Sequence, residues 1–562
     1  MNGGTTMKIP IVGLLSIIKS TVAALVTALA GILPCQAAEK PNVLIVLADD
    51  LGYSDLSCYG GEIATPNLDK IAAAGVRFSK CYNSARCCPT RASLMTGLHP
   101  HEAGIGSFTQ PKPSPGLGPA YTGHLLDNNI TIAELLKSAG YTTWMTGKWH
   151  MGTPGPIERG FDHYYGYRNF NSYAEDQWSP AGYARLPQGT PAELSPEKFY
   201  ATDVFTDYAL EFLKQARSAK KPWFLYLAHS SPHFPVQAPR KTVEKYLNIY
   251  RKGWDILRAE RLERMKKSGL IPTSTALPPL SQVPVEPEEI ANGYSGKPNP
   301  EWSTLPADRR EDLAHRMAIF AAMVEHIDTG IGRIMADLEK SGELANTVIA
   351  FTSDNGACYE WGPFGFDGPS RAGKTILHTG AALNAMGQKG SDHAYGSGWA
   401  NLCNTPLNMY KHFCHEGGVS SPLLIQWPSG FKPRAGWITS PAHVMDLLPT
   451  IAAAANIPYP AERNKVALLP LSGISLLPTI HGEPMPERII PTEHQGARGL
   501  RKGDWKIVWG KRQPEQVTWE LYNLADDPCE QNDLAAANPK KCAELTSLWT
   551  VWAKNAGVHF KP

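Results

Sequence analysis

Two short apolar segments of this chain each end in a pair of side chains that can bind a cation. The first, "PNVLIVLADDLGY", leads into Asp49 and Asp50, and the second, "NTVIAFTSDNG", leads into Asp354 and Asn355. Runs of this length, rich in branched residues, are typical of strands that are buried on both faces of a parallel sheet. Because ligands bind beyond the carboxyl ends of parallel strands, the sequence predicts a polar site at one edge of an α/β sheet.

Segments with helical character alternate with these strands. "ATPNLDKIAAAGVRF" and "ITIAELLKSAGYTTWMTGKWHMG" each predict a helix followed by a strand, and in the second Thr131 and Glu134 have the spacing of a capping box. Apolar residues recur with helical periodicity from about Leu313 to Leu338, which predicts one long helix before the second acid-tipped strand. The alternation predicts an α/β domain with a largely parallel central sheet.

Other segments depart from this pattern. Residues 237–310 are charged and then proline-rich, and the stretch after Asn355 is glycine-rich, so both are predicted to be long excursions from the sheet. The final segments, such as "RGLRKGDWKIVWG", predict short antiparallel strands and a terminal helix. We therefore expect a catalytic domain over residues 39–475 and a smaller C-terminal α+β subdomain with an antiparallel sheet over residues 476–562.

Residues 1–38 have the features of a secretory signal peptide. Lys8 and Lys19 are followed by an apolar run that ends in small residues. A membrane anchor and a lipid attached to Cys35 are the alternatives, but the apolar run is short for a membrane span. We expect an exported protein, periplasmic or extracellular, with no integral membrane span once the signal is removed.

The balance of charge argues against nucleic acid as a partner. The whole chain has 54 basic and 52 acidic residues, and the predicted mature chain is neutral because residues 1–38 carry two lysines and no acids. A broadly basic surface is therefore not expected. Of the ten cysteines, nine would enter an oxidising compartment. Cys529 and Cys542 could close a small loop, but spacing alone leaves the pairing open.

The two polar strand ends predict a metal site. Three carboxylates and one amide oxygen form a hard oxygen cage, which suits Ca²⁺ or Mg²⁺ better than a soft metal. Asp49 and Asp50, taken alone, would be better explained as turn residues, since Asp and Asn are common in turns. A second such pair, Asp354 and Asn355, also follows a predicted buried strand and favours the metal site.

Cationic and imidazole side chains are predicted at the same edge. Lys148 and His150 occur in "TGKWHMG", His229 and His233 occur in "LAHSSPHFP", and Lys411 precedes another apolar run in "YKHFCHEGG". Cations in such places can hold an anion with several oxygens, and a histidine can donate a proton to a leaving group. The sequence has no zinc-type spacing of cysteine and histidine, no lysine-containing phosphate loop and no nucleophile elbow.

The segment "CCPTRASLMTG" resembles the signature of the sulfatase family, in which the cysteine of a Cys, any residue, Pro, small residue, Arg motif is converted to Cα-formylglycine. Cys87 matches the modified cysteine and Arg91 the arginine, while Thr90 is a mild departure from the usual serine or alanine. The similarity extends from about Pro41 to the C-terminus and includes "LIVLADDLGY", "TGKWHMG", "SPHFP" and "FTSDNG". The segments "YRKGWDILRAERLERMKKSGLIP" and "YKHFCHEGG" look like the arylsulfatase branch. The family implies an alkaline-phosphatase-like α/β domain with a smaller C-terminal domain.

The resemblance also implies roles for individual residues. One Ca²⁺, or Mg²⁺, would be bound by five side chains, namely Asp49, Asp50, modified Cys87, Asp354 and Asn355. Arg91 and His150 would position the formylglycine hydrate, Lys148 and Lys411 would neutralise sulfate oxygens, and His233 would protonate the leaving group. His229 has no implied role, and a formylglycine-generating maturation enzyme becomes an expected partner.

The activity implied is the hydrolysis of sulfate esters, of the arylsulfatase type, to an alcohol or phenol and inorganic sulfate. The nearest alternative is a phosphatase or phosphonate monoester hydrolase of the same superfamily, but Asn355 stands where such phosphatases often have histidine. An inactive binder of sulfated glycans is the alternative from another class. A redox role for Cys87 and Cys88 is weaker, because adjacent cysteines lack the spacing of a dithiol motif. The natural ester and the oligomeric state are left open.

Overall fold

The computed structural model describes eight stretches of the chain, residues 1–5, 39–109, 116–167, 172–173, 183–186, 199–370, 374–510 and 518–560. Met1–Lys40 and Pro41–Pro562 form separate compact units. The apolar run of the predicted signal peptide lies outside the described residues. Within those stretches, the structure contains no helix with the length and apolar character needed to cross a membrane.

A nine-stranded sheet forms the centre of the larger unit, as predicted for an α/β fold. Its strands, in chain order, are β1 (Asn42–Ala48), β2 (Val76–Phe78), β4 (Thr142–Gly147), β5 (His163–Tyr167), β6 (Tyr183–Leu186), β7 (Trp223–Ala228), β8 (Thr347–Ser353), β9 (Leu423–Gln426) and β10 (Trp437–Ile438). Across the sheet the order is β10-β2-β9-β8-β1-β7-β4-β5-β6. Only β6 and β9 run opposite to the others, so the sheet is mostly parallel.

Helices cover both faces of this sheet, which explains why its central strands are apolar throughout. The helices of the larger unit that precede its C-terminal sheet are α1 (Pro66–Ala74), α2 (Cys87–Thr96), α3 (Ile132–Ser138), α4 (Ala201–Ser218), α5 (Arg240–Val243), α6 (Leu247–Tyr250), α7 (Trp254–Lys267), α8 (Glu288–Ala291), α9 (Ala307–Lys340), α10 (Ala381–Ala385), α11 (Gly396–Cys403), α12 (Glu416–Val419), α13 (Leu447–Ala454) and α14 (Leu477–Ile480). Leu44 and Val46 of β1 pack with α1, α4, α7 and α9, whereas Val43 and Ile45 pack with α2, α3 and α13.

The last part of the chain adds the predicted antiparallel sheet. Its strands are β14 (Ile489–His494), β15 (Ala497–Lys502), β16 (Trp505–Trp509) and β17 (Trp519–Asn523), and α15 (Pro539–Asn555) packs against them. Two small two-stranded sheets complete the described strands, β3 (Cys81–Tyr82) with β11 (Ala442–His443), and β12 (Glu462–Arg463) with β13 (Val466–Ala467). The boundary between residues 475 and 476 stays a prediction.

The structure confirms one local prediction and differs from two others. The Thr131 hydroxyl accepts a hydrogen bond from the Glu134 amide and the Glu134 carboxylate accepts one from the Thr131 amide, so the predicted capping box is present. The long helix α9 begins six residues before the predicted Leu313. Its first turns are mostly polar, so apolar periodicity could not indicate where it starts. Cys529 and Cys542 are both free thiols, so they do not close the loop that was considered.

Candidate active site

The predicted polar residues lie at the carboxyl ends of four strands that are neighbours in the order β8-β1-β7-β4. They are Asp354 and Asn355 after β8, Asp49 and Asp50 after β1, His229 and His233 after β7, and Lys148 and His150 after β4. Gly147 ends β4 at a φ of +105°, and a Cβ there would lie 1.9 Å from the carbonyl oxygen of Ala228. Glycine at this point therefore lets β4 stay close to β7 while the chain turns Lys148 into the site.

Cys87 is the first residue of α2, and it is 2% exposed. Arg86 is the N-cap, so α2 begins two residues before Pro89. A hydrogen bond from Cys88 lowers the pKa of Cys87 well below its usual range, assisted by Lys148 and by a hydrogen bond with His150, although burial opposes the shift. Cys87 thus lies where helix amides and nearby cations both favour an anion.

Arg91 joins Cys87's helix to the acids of two strands. Its Nε and Nη2 donate to Oδ2 of Asp354 at 3.0 and 2.8 Å, and Nη2 lies 3.6 Å from Oδ2 of Asp49. Its Nη1 donates to the carbonyl oxygen of Lys148 at 2.8 Å. The Lys148 ammonium in turn pairs with Oδ2 of Asp49. The buried guanidinium therefore fixes α2 against β8, β1 and β4 at once.

A second group forms around Asp50. Oδ2 of Asp50 accepts a hydrogen bond from the Lys411 ammonium at 2.8 Å and lies 3.4 Å from Nε2 of His233. Oδ1 of Asp50 accepts a hydrogen bond from Nδ2 of Asn355 at 2.7 Å. Lys411 Nζ and His233 Nε2 are 3.4 Å apart. Lys411, predicted from a distant loop, thus joins the strand-end residues.

Burial sets the charge state of the histidines. It lowers the pKa of both His150 and His233, and for His233 the charge of Asp50 partly offsets this effect. Burial also works against the charged form of Lys411, but Asp50 raises its pKa well above the usual value. The charged form of Lys411 is therefore favoured and suits anion binding, while an imidazole beside it can take part in proton transfer.

The predicted metal ligands include two buried oxygens without a hydrogen-bond partner. These are Oδ1 of Asp49 and Oδ1 of Asn355, and both side chains are fully buried. Burying an oxygen of this kind without a partner is unfavourable, and a hard divalent cation would satisfy it. Burial also raises the pKa of Asp354, with Asp49 adding to the effect, which indicates a surplus of closely placed carboxylates. The donor set therefore fits the Ca²⁺ or Mg²⁺ that was predicted.

Backbone strain accompanies these residues. Asp50 has a φ of +66° and His150 a φ of +53°, in the left-handed region that favours glycine. Each such conformation costs on the order of 1–3 kcal/mol and persists only where surrounding contacts hold it. Both residues are among the predicted site residues, as expected where function sets the backbone conformation.

Several neighbours of the site were not predicted. The Cys358 thiol lies 3.9 Å from Lys411 Nζ, and the Glu360 carboxylate lies 3.2 Å from Nε2 of His412 and 3.9 Å from Nη1 of Arg86. Cys358 and Glu360 lie in the irregular stretch after β8, which lacks periodicity, although its position after Asn355 was a usable signal. Three aromatic residues of the glycine-rich excursion are buried packing residues, Trp361, Phe364 and Trp399.

Comparisons with known proteins agree with this arrangement. The Sulfatase family model matches residues 41–457. An uncharacterized sulfatase from Schizosaccharomyces pombe is 32% identical over 555 residues, covering 93% of this chain and 95% of the relative. An arylsulfatase from Klebsiella aerogenes is 32% identical over 470 residues, covering 82% and 96%. The crystal structure of Ps i-CgsB in complex with k-i-k-neocarrahexaose is similar with a TM-score of 0.62 and 25% identity, covering 92% and 93%.

The mostly parallel sheet with a polar site at its strand ends defines an alkaline-phosphatase-like α/β fold. Within that class the chain belongs to the sulfatase family, since the family model spans most of its length. Family membership supports a sulfuric ester hydrolase as the class of enzyme.

Proposed function

We propose that this protein hydrolyses sulfate esters of the arylsulfatase type, using a formylglycine hydrate made from Cys87 and one bound divalent cation. The observation that carries the proposal is the position of Cys87 at the start of α2, beside the charged residues that converge from four strand ends. The similarity to an arylsulfatase over 96% of that relative supports the aryl type. The N-terminal segment supports export to the periplasm or the extracellular space.

A formylglycine hydrate and a divalent cation would supply what a thiol cannot. A formylglycine hydrate supplies one hydroxyl that can attack sulfur and a second that allows sulfate to leave by C–O cleavage. A Ca²⁺ or Mg²⁺ ion at Asp49, Asp50, Asp354 and Asn355, with modified Cys87 as a further ligand, supplies positive charge for sulfate oxygens. A formylglycine-generating enzyme is the partner that this modification requires.

The chain's own residues would divide the remaining work. Lys148 and Lys411 bind sulfate oxygens and stabilise the charge that develops on them. Arg91, on the same helix as Cys87, and His150, just after β4, hold the modified side chain in place. His233, in the imidazolium form that Asp50 favours, donates a proton to the ester oxygen as the S–O bond breaks, so that an alcohol or phenol leaves in neutral form. Lys148 is paired with Asp49, and Lys411 is paired with Asp50. Substrate binding therefore requires each ammonium group to exchange its aspartate for a sulfate oxygen.

Two measurements test this proposal. Peptide mass spectrometry across Cys87, on protein made by its native host, should show an aldehyde or its hydrate in place of the thiol. An unmodified thiol in fully matured protein would contradict the mechanism and favour a binder of sulfated glycans. Cys87→Ala should abolish turnover, whereas Cys81→Ala, which removes another buried thiol, should retain it.

Rates on matched esters show which type of ester the enzyme prefers. We expect 4-nitrophenyl sulfate to be hydrolysed faster than 4-nitrophenyl phosphate, and the reverse order would overturn the choice of sulfate. Sulfated saccharides belong in the same assay, because Ps i-CgsB was solved in complex with k-i-k-neocarrahexaose. A higher kcat/KM on a saccharide sulfate than on every aryl sulfate would replace the aryl type by a glycan type.

A further inference from the structure

Two histidines and an aspartate converge at a place outside the site described above. Asp367, His378 and His393 each present one ligand atom, and these three atoms lie within 4.8 Å of one another. Nδ1 of His393 is 2.5 Å from Oδ1 of Asp367, and Nε2 of His378 is 3.6 Å from the same oxygen. The two imidazole rings have centroids 4.9 Å apart and are inclined at 76°. Both nitrogens therefore approach one carboxylate oxygen from different directions.

A second carboxylate, that of Asp312, fixes the orientation of the His378 imidazole. Its Nδ1 lies 3.0 Å from Oδ1 of Asp312 on α9, so Nε2 is the nitrogen that faces Asp367. Carboxylate partners of this kind fix the tautomer and orientation of metal-binding histidines in proteins. The His378 side chain is 15% exposed, which leaves the cluster accessible from solvent. His393 and Asp367 are buried.

Carboxylates outnumber guanidinium groups around the cluster, although Arg316 disfavours positive charge on His393. Arg316 donates to both oxygens of Asp367, at 3.1 and 2.9 Å, and also pairs with Asp312. Arg309 pairs with Asp312 at 3.0 Å, and Asp392 interacts electrostatically with Asp367. Three carboxylates thus face two guanidinium groups. A carboxylate oxygen can accept from arginine and bind a metal at the same time, because it has more than one lone pair.

We propose that Asp367, His378 and His393 form a second metal site, specific for a transition metal such as Zn²⁺. Imidazole nitrogen and carboxylate oxygen are the ligands that zinc prefers, whereas Ca²⁺ takes oxygen alone. Zinc–ligand bonds of about 2.0–2.1 Å in tetrahedral geometry place neighbouring ligand atoms roughly 3.4 Å apart. The His378 distance matches this value, and His393 would move away by about 1 Å. Metal binding at Nδ1 would require the His393 tautomer whose proton is on Nε2.

Such an ion would link the two ends of a loop within the glycine-rich excursion. It would also stabilise the segment that carries His233, the proposed proton donor. The amide of Gly368 donates to the carbonyl oxygen of Asp392 at 2.9 Å, so the cluster lies where the excursion leaves and returns. The amide of Val236 donates to the carbonyl oxygen of His393 at 2.8 Å, and the rings of Phe366 and Phe234 are 5.1 Å apart. A metal here would stabilise the segment that carries His233.

Zinc binding to the full-length protein tests the site without any use of activity. Chelator-treated protein is dialysed against micromolar Zn²⁺ with Ca²⁺ in large excess, so that oxygen sites are filled, and bound zinc is measured by mass spectrometry. We expect one zinc per chain. His378→Gln and His393→Gln should each lower the affinity at least tenfold, and Asp312→Asn should lower it by about 10–100-fold through loss of its hold on His378.

A matched control separates this site from adventitious binding. His326 on α9 also contacts an aspartate, with its Nδ1 2.8 Å from Oδ1 of Asp203, so His326→Gln should leave zinc binding unchanged. No bound zinc in the parent protein, or equal zinc in His378→Gln, would overturn the proposal. His378 is partly exposed, so its variant is expected to fold, and circular dichroism checks this. Substituting Co²⁺ gives a visible spectrum that the same variant should lose.

Discussion

Arg91 donates two hydrogen bonds to a single carboxylate oxygen of Asp354, although the two residues are 263 positions apart in the chain. Both side chains are fully buried, and Asp354 is among the proposed metal ligands. A guanidinium in this position both anchors α2 and limits how the carboxylate can turn. The first prediction follows from that double role.

Arg91→Gln should lower kcat by about 10²–10³, because a fixed cation beside the reacting group is lost. Removing one partner of a buried pair should also lower the free energy of unfolding, by about 3–5 kcal/mol. Kinetics on folded protein and urea denaturation measure the two effects. Arg261→Gln is the matched control, since Arg261 is a fully buried arginine paired with Asp55 and Glu62. It should lose stability but keep kcat, and equal losses of kcat would contradict the role of Arg91.

His233→Gln should slow the release of poor leaving groups much more than good ones, because the proposed proton donor is lost. We expect a fall of about 10²–10⁴ in kcat for alkyl or saccharide sulfates and a small change for 4-nitrophenyl sulfate. A series of phenyl sulfates of graded leaving-group pKa measures this dependence. His229→Gln, four residues earlier on the same strand end, should leave the dependence unchanged. A uniform fall for all leaving groups would remove His233 from the role of acid.

Removal of Ca²⁺ with a chelator should lower Tm and abolish turnover, and Ca²⁺ should restore both. A ligand at 100 times its Kd stabilises the folded state by about 2.7 kcal/mol. Asp49→Asn should lose this calcium-dependent rise in Tm, because Oδ1 of Asp49 is one of the two unpartnered buried oxygens among the predicted metal ligands. Asp446→Asn removes another fully buried carboxylate, paired with Arg488, and should keep the rise. The same calcium response in Asp49→Asn would place the ion elsewhere.

His229 should make the protein sensitive to acid. Burial lowers its pKa to about 3 from a usual 6.5, so between these values the unfolded chain binds a proton that the folded chain does not. Stability therefore rises with pH across this window and falls as pH drops below about 6.5, by at most about 1.4 kcal/mol per unit. His229→Gln should show a smaller loss of unfolding free energy between pH 7 and pH 5. An unchanged loss would mean that His229 is protonated in the folded state.

Much of the site was predictable because polar residues at the ends of apolar runs are a local signal. Asp49 and Asp354 could be placed together once their segments were recognised as neighbouring parallel strands. The contacts of Glu360 with Arg86 and His412 could not be predicted, since they depend on how an irregular loop folds over α2. The cluster of Asp367, His378 and His393 was missed because its spacing matches no familiar ligand motif.

The order of the site residues along the chain separates their synthesis in time. Cys87 becomes part of the nascent chain long before Asp354 and Lys411, and it is only 2% exposed once all of them are in place. A ribosome-bound chain thus offers an interval in which the proposed modifying enzyme could reach the thiol. Completion of β8 and of the Lys411 loop ends that interval, so the rate of translation through the intervening residues would limit how much protein matures into active enzyme.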